Sequence, residues 1–455
     1  MGWVVRLVRM GAGEPDHAVD VLELPPRRNL SDIDDLGLTL AEAKQILTAI
    51  QRTLVATQAD DHAAQRPVCS RCGGTCNVKD WQDRQIATLF GVIAVSVPRF
   101  RCSACRHGET GLHWPSHCRS TPAFDRLRAH LSALMPYRVA AGVLDHLLPV
   151  GAGIHHETLR GHTFRAGEQL RHEPPRATGE AASAMTVSLD STFIRGCRAD
   201  ERQLEVRIGN VEVVGGHRRV FGAVVDGGTD IAALIRQQVL AAGRTEGTDV
   251  ACFTDGCPAL RSILAKASLP KRPIADWFHI AMRLQHARQA ASGLTADKPS
   301  RTRAKTAIVT EVERLRWRLW NGKAKDATVT LDRIRPLMRA YRGEQSTRHG
   351  GVSSRKLWTA VREVHDYVRG QAARLVNYAA RHRAGHRVGT SLTEGTANFL
   401  VNRRMNKSQQ MRWTRRGADL LLQVRCAVYN GVWDDGIGSI LGPETATIPL
   451  VAATA

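Results

Sequence analysis

Met185-Thr-Val-Ser-Leu-Asp190 alternates apolar and polar side chains and stops on a carboxylate, and Val250-Ala-Cys-Phe-Thr-Asp255 is a short apolar run with the same ending. A period of two marks a β-strand, because successive side chains point to opposite faces of a sheet, and a short apolar run fits a strand buried on both faces. Two further strand-like runs, 203–214 and 220–225, and a helix over 230–240 separate these stretches. Behind Asp255 come a helix over 258–267 and the run Pro273-Ile-Ala-Asp276-Trp-Phe-His279. The order β-β-β-α-β-α-β-α predicts a central sheet covered by helices.

This is the element order of an RNase H-like core, in which carboxylates at strand ends converge on one edge of the sheet; 181–280 form its first part. From 281 to 384 only helical periodicity remains, with Ile308, Val312, Leu315 and Leu319 on one stripe, Leu331, Ile334, Leu337, Met338 and Tyr341 on the next, and Leu357, Val361, Val364 and Val368 after them. An all-helical insertion fits this pattern. Beyond it, Ser391-Leu-Thr-Glu394-Gly-Thr-Ala-Asn398 opens the last part of the core, 385–435, and brings a third acid back on a helix. An Asp at a strand end or a Glu in a helix's first turn is ordinary structure when it stands alone. The succession Asp190, Asp255, Glu394 is what points to a joint role.

Ahead of the core, 1–65 reads as helical, with Leu40, Ala43, Ile46, Ile50 and Leu54 at three- and four-residue steps. Such a stripe suits a partner helix or its own domain equally. Within 66–120, Cys69-Ser-Arg-Cys72 and Cys102-Ser-Ala-Cys105 bracket a hairpin turning at Gly91. Two paired thiols on each side of a hairpin are the sequence form of a zinc ribbon, since each pair offers half of a tetrahedral site. Cys76, His107, His113, His117 and Cys118 lie near enough to replace a ligand. Residues 121–180 read as helices joined by a Gly-containing turn, which resembles a helix-turn-helix DNA-binding region, followed by the linker Glu173-Pro-Pro-Arg-Ala-Thr-Gly-Glu180. A plain helical bundle gives similar periodicity.

Lys+Arg number 64 against 43 Asp+Glu, a formal net charge of +21 that suits a partner rich in phosphate. The Arg-rich stretch Arg403, Arg404, Lys407, Arg412, Trp413, Arg415 and Arg416 suits a track for double-stranded DNA, although any single Arg there also fits a solvated helix face. No run approaches the ~20 apolar residues of a spanning helix, so a cytosolic, nucleoid-associated protein without a membrane partner is expected. Ten cysteines then read as metal ligands and buried thiols rather than disulfides.

The stretches LDSTFIRG (189–196), FTDGCPALR (253–261), DWFHIAMR (276–283) and the long block from Glu394 to Gly431 resemble those of the ISKra-type insertion-sequence transposases, a DDE group related to the ISL and Mutator-like groups. The cysteine-rich block from Cys69 to Cys105 resembles that family as well. The resemblance implies Asp190, Asp255 and Glu394 as the catalytic, magnesium-binding triad, with Asp276 and His279 in support. It implies an enzyme that binds transposon ends and cuts and joins DNA, as a homo-oligomer on its substrate. Two Mg²⁺ ions about 4 Å apart, or Mn²⁺ in their place, would stabilise the attacking and leaving oxygens together. A structural Zn²⁺ would sit on Cys69, Cys72, Cys102 and Cys105. Two other readings stay open: a DNA-binding protein that has lost the chemistry, and a different nuclease on the same core. The tail, 436–455, carries no reading.

Overall fold

The computed structural model describes residues 2–10, 17–26, 33, 36–109, 118–177, 179–269, 272–341, 352–406 and 411–431, and Lys407 lies outside them. The chain is mixed α/β and divides into two compact units, one up to Gln169 and one from Leu170 to Asn430. Among the described residues no helix is long and apolar enough to cross a membrane.

The first unit opens with an antiparallel pair, β1 (Trp3–Arg9) and β2 (His17–Leu24). These residues were expected to be helical. The run Val4-Val5-Arg6-Leu7-Val8 is β-branched and alternates in exposure, which favours a pleated strand over a helix. Helix α1 (Leu40–Ala64) starts at a capping box, Thr39 accepting from the Glu42 N–H while the Glu42 carboxylate accepts from the Thr39 N–H. It packs on β2 and on β4.

Strands β3 (Cys76–Thr88) and β4 (Gly91–Cys102) form a long antiparallel hairpin, and β5 (Gly108–Glu109) adds to β4. Gly91 takes φ +118°, a conformation open to glycine, and the Thr88 hydroxyl donates to its carbonyl at 2.8 Å, closing the turn. Three helices follow, α2 (Pro122–Leu134), α3 (Tyr137–Leu147) and α4 (His156–His172), around a core of Phe124, Leu144, Val150 and Leu159. The α3–α4 connection, 148–155, is longer than the three- or four-residue turn of a helix-turn-helix.

The second unit holds a five-stranded sheet in the order β10-β9-β6-β7-β8. Its strands are β6 (Ala184–Arg195), β7 (Gln203–Val213), β8 (Arg218–Val224), β9 (Asp249–Thr254) and β10 (Ile274–Ala275), with α5 (Ile231–Ala241), α6 (Pro258–Lys266) and α7 (Trp277–Ser292) between and after them. Strands β6, β7 and β8 pair antiparallel, whereas β9 pairs with β6, and β10 with β9, in parallel. Met185, Val187 and Leu189 face Ile235, Val239, Leu260 and Leu264 of α5 and α6.

Helices α8 (Pro299–Trp320), α9 (Ala324–Leu337), α10 (Val352–Gln371) and α11 (Tyr378–Arg383) bury the stripes Ile308, Val312, Leu315, Leu319 and Leu357, Val361, Val364, Val368 in one core. The chain then returns to the sheet in α12 (Ser391–Ala397), a π-helical stretch over Asn398–Asn406, and α13 (Arg415–Tyr429). The last two cover the other face, with Leu400, Val401, Met405, Leu421 and Leu422 against Ile194, Leu204, Val206 and Ile208. A π-helix leaves carbonyls poorly matched to their usual donors. The buried Arg425 supplies donors, its Nε to the Leu400 carbonyl at 2.5 Å and its Nη2 to that of Phe399.

Candidate active site and metal centre

In the first unit, the ligand atoms of Cys69, Cys72, Cys102 and Cys105 all lie within 4.8 Å of one another. The Sγ atoms of Cys69 and Cys105, and of Cys72 and Cys102, are 3.5 Å apart. Sulfurs at the corners of a tetrahedron around Zn²⁺, each about 2.3 Å from the ion, stand at similar separations. The residues therefore fit a zinc ion as a set of four.

The two knuckles are built alike. Gly73 N–H donates to the Cys69 carbonyl at 3.0 Å, and Arg106 N–H to that of Cys102 at 3.2 Å. Backbone N–H groups of Cys105 and Ala104 lower the Cys102 thiol to about 6 against its burial. The Gly74 N–H also pulls Cys72 downward, yet hydrogen bonds with the Cys105 and Cys102 sulfurs leave it pushed up to about 12. Four thiols at this spacing cannot all shed protons without a cation among them, a charge that a Zn²⁺ ion would supply. Cys76 pairs with Cys102 across the hairpin and is wholly buried in the ribbon's small core, outside the four. His113 and His117 lie outside the described residues.

In the second unit the acids are ordered by sheet register. Ser188 pairs with Phe253 across β6 and β9, and continuing that register sets Asp190 beside Asp255. Ala275 pairs with Thr254, so Asp276 follows directly after the end of the neighbouring strand β10, as the N-cap of α7. Asp190 is buried, and its Oδ1 accepts from the Ser191 N–H at 2.8 Å. Asp255 is half-buried in the turn after β9, accepting from the Cys257 N–H at 2.7 Å.

Asp276 differs from both, because it has no exposed surface and its carboxylate is fully engaged. Its Oδ1 accepts from the N–H groups of Phe278 at 2.8 Å and Thr390 at 2.9 Å, and its Oδ2 from the Thr390 hydroxyl. Burial raises its pKa against those hydrogen bonds. The same carboxylate caps α7 and fixes the residue that precedes α12. His279, one turn into α7, holds its Nε2 3.6 Å from Asp276 Oδ2, and that buried nitrogen makes no hydrogen bond among the described residues.

Thr393, on the first turn of α12, accepts at Oγ1 from Asn210 Nδ2 at 3.0 Å, and Asn210 pairs with Ser188. The start of α12 is thus tied on one side at the end of β10 and on the other to β7. The strands lying between those two ties are β9 and β6, which carry Asp255 and Asp190. Glu394 follows Thr393 on the helix backbone; its side chain lies outside the described residues.

The insertion also reaches this edge, which its sequence did not reveal. Gln371, in the last turn of α10, donates to the Gly256 carbonyl at 3.2 Å. One turn earlier, the Tyr367 hydroxyl is buried with no hydrogen-bond partner among the described residues, and Arg283 sits 4.3 Å over its ring. Burial, countered by Arg283 and reinforced by Asp276 and Asp255, pushes the phenol up to about 12. No motif marks Tyr367, because its role depends on the docking of α10 against the turn after β9.

The basic track needs correction. Trp413 and Arg404 are buried: the indole N–H donates to the Met405 carbonyl at 3.0 Å, and the Arg404 guanidinium lies 5.6 Å over the indole ring. An aromatic ring next to a sheet edge gains more by filling the core than by waiting in solvent for a base. Arg415 is engaged with Glu201 at 3.2 Å and with the Val225 carbonyl at 2.7 Å. Arg403, Arg412 and Arg416 keep exposed positions. Asp419, another acid on this side, is wholly buried and taken up by Arg171, Thr229 and the Val224 N–H.

Comparison with protein-family models and with curated proteins finds no match to this chain.

Proposed function

We propose that the chain is a DNA transposase of the ISKra type, cutting and joining strands with divalent metal held by Asp190, Asp255 and Glu394 on an RNase H-like core. One observation carries the reading. Asp190 lies on β6 and Asp255 directly follows β9, its parallel neighbour, at the level the register extends to, and the start of the helix bearing Glu394 is tied at Thr390 and Thr393 to the elements flanking those two strands. The mixed sheet order, with three antiparallel strands and two parallel ones beside the first, supports reading it as an RNase H-like core.

Carboxylate oxygens are the donors Mg²⁺ prefers, and the three acids would hold the pair of ions. Bound metal supplies charge stabilisation for the attacking and leaving oxygens of phosphoryl transfer. The chain's own contribution is placement. Asp276 fixes Thr390 and caps α7, so the start of α12 is held by the chain's own hydrogen bonds. The excess of Lys and Arg offsets the phosphate charge of DNA, and Arg403, Arg412 and Arg416 are the exposed cations nearest in sequence to the core's last helix.

The test is Mg²⁺- or Mn²⁺-dependent cleavage of labelled transposon-end DNA by the full chain, with binding measured in parallel. Asp190→Asn and Glu394→Gln are each expected to lose several kcal/mol of transition-state stabilisation, roughly a 10³-fold fall in rate, while end binding persists. Cleavage at the wild-type rate by either variant would remove that acid from the triad. Metal-dependent binding without cleavage by the wild type would favour the DNA-binding protein that has lost its chemistry.

A further inference from the structure

A second cluster of charged groups lies wholly inside the first unit, away from the cysteines. A cleft of about 620 Å³ is lined by Arg119, Ser120, Asp125, Arg128, His162 and Arg165, among others. Its walls are set by ordinary packing: Ala87 of β3 accepts from Thr121 N–H and donates to the Arg119 carbonyl, both at 2.9 Å, which fixes Arg119 and Ser120. Asp125 and Arg128 come from α2, and His162 and Arg165 from α4.

The charges do not balance. Three guanidinium groups line the cleft against one carboxylate. Arg128 is 1% exposed, and its Nη2 donates to Asp125 Oδ1 and to Ser120 Oγ, the latter at 2.6 Å. Its Nη1 donates to the Gly153 carbonyl at 2.9 Å, and its Nε has no partner among the described residues. Arg165 donates from Nη2 to His162 Nδ1 at 2.9 Å. The same His162 Nδ1 lies 3.2 Å from Asp125 Oδ1, and burial holds the ring's pKa down at about 4 against the pull of Asp125, so His162 adds no second carboxylate or other negative charge to the cleft. The buried Arg128 is paired with Asp125, whereas Arg119 and Arg165 are exposed and the lining adds no second carboxylate, so the cleft presents an excess of positive charge to an anion.

We propose that this cleft is a phosphate-binding site, seating one phosphodiester of a nucleic-acid backbone against the exposed Arg119 and Arg165, with the buried Arg128 as fixed charge behind them. The source of the phosphate rests on the DNA reading above, whereas the site itself does not depend on the catalytic acids. Guanidinium groups suit the role because their paired N–H donors match two phosphate oxygens at once.

Two probes separate the sources: a short duplex of transposon-end DNA, titrated against salt, and inorganic phosphate alone, read by thermal unfolding. Arg119→Ala and Arg165→Ala, both at exposed positions, are each expected to weaken duplex binding about three- to tenfold. The dependence of log affinity on log salt should drop by about one in slope per lost contact. Zinc content and circular dichroism of the variants report that the fold is intact. Unchanged affinity and slope in the double variant, with the wild type binding duplex, would overturn the proposal. Protection by phosphate that depends on Arg165, in a wild type that does not bind duplex, would overturn the nucleic-acid source and assign the cleft to free phosphate. That last outcome would count against DNA binding as a whole, whereas duplex binding indifferent to Arg119 and Arg165 would leave it standing.

Discussion

The cysteine centre and the carboxylate edge are assembled by opposite means. In the ribbon all four ligands come from two tight knuckles at one end of a single hairpin, and the hairpin register fixes them. At the edge of the large sheet the acids lie on or just past three neighbouring strands and on a helix, spread from Asp190 to Glu394, and a buried carboxylate, Asp276, holds the start of that helix. A site made of local turns would depend on an ion to hold it closed. A site made of distant elements is held by the protein's own hydrogen bonds.

The largest effect should come from breaking the first kind. Removing zinc, or replacing Cys102 by Ser, is expected to unfold the ribbon, because the binding free energy of a structural zinc is about 10 kcal/mol or more of folding free energy. Metal analysis should find about one zinc per chain in the wild type and none in Cys102→Ser, with new proteolytic cleavage between Cys69 and Cys105. Cys76→Ala should keep the ion. Zinc retained in Cys102→Ser would bring in another ligand near the hairpin.

A smaller effect is expected when the support of the second kind is weakened. Asp276→Asn keeps an acceptor for the Phe278 and Thr390 N–H groups but gives up the carboxylate, so the chain should fold while α12 is held less exactly. Loss of such outer support typically costs about 10–100-fold in metal affinity or activity. Cleavage should therefore fall less than in Asp190→Asn and recover in part at higher Mn²⁺. A loss as complete as that of Asp190→Asn, unrelieved by metal, would make Asp276 a direct ligand.

The contrast also governs what could be read before the fold was known. The knuckles announce themselves because their spacing is local, and the strands ending on Asp190 and Asp255 are legible because alternation or apolar content runs right up to the acid. Three things were not. The β1–β2 pair hides in a short run that a helical prior absorbed. Trp413 reads as a stacking platform among arginines, and only tertiary packing shows its indole N–H spent on Met405. Tyr367 and Gln371 sit on an amphipathic helix whose core stripe is legible, whereas the neighbour met by its other side is not.

The smallest effect should come from the one difference between the two knuckles. After the second cysteine of each, the chain enters the left-handed region, Gly73 at φ +71° and Arg106 at φ +62°. Both residues donate their N–H to the first cysteine's carbonyl, so the conformation is demanded by the knuckle and not by the side chain. A side chain in this region costs about 1–2 kcal/mol, while glycine gives back roughly 0.5–1 kcal/mol through its freer unfolded chain. Arg106→Gly is accordingly expected to tighten the ribbon by about 0.5 kcal/mol, close to a twofold gain in zinc affinity against a competing chelator. Gly73→Ala should move the other way by about 1 kcal/mol. Nothing lies within 4 Å of where its Cβ would stand, so the cost there is conformational alone. If Arg106→Gly instead loosened the zinc, the Arg106 side chain would have to contribute more to the knuckle than its backbone costs, and the two halves of the centre would not be equivalent.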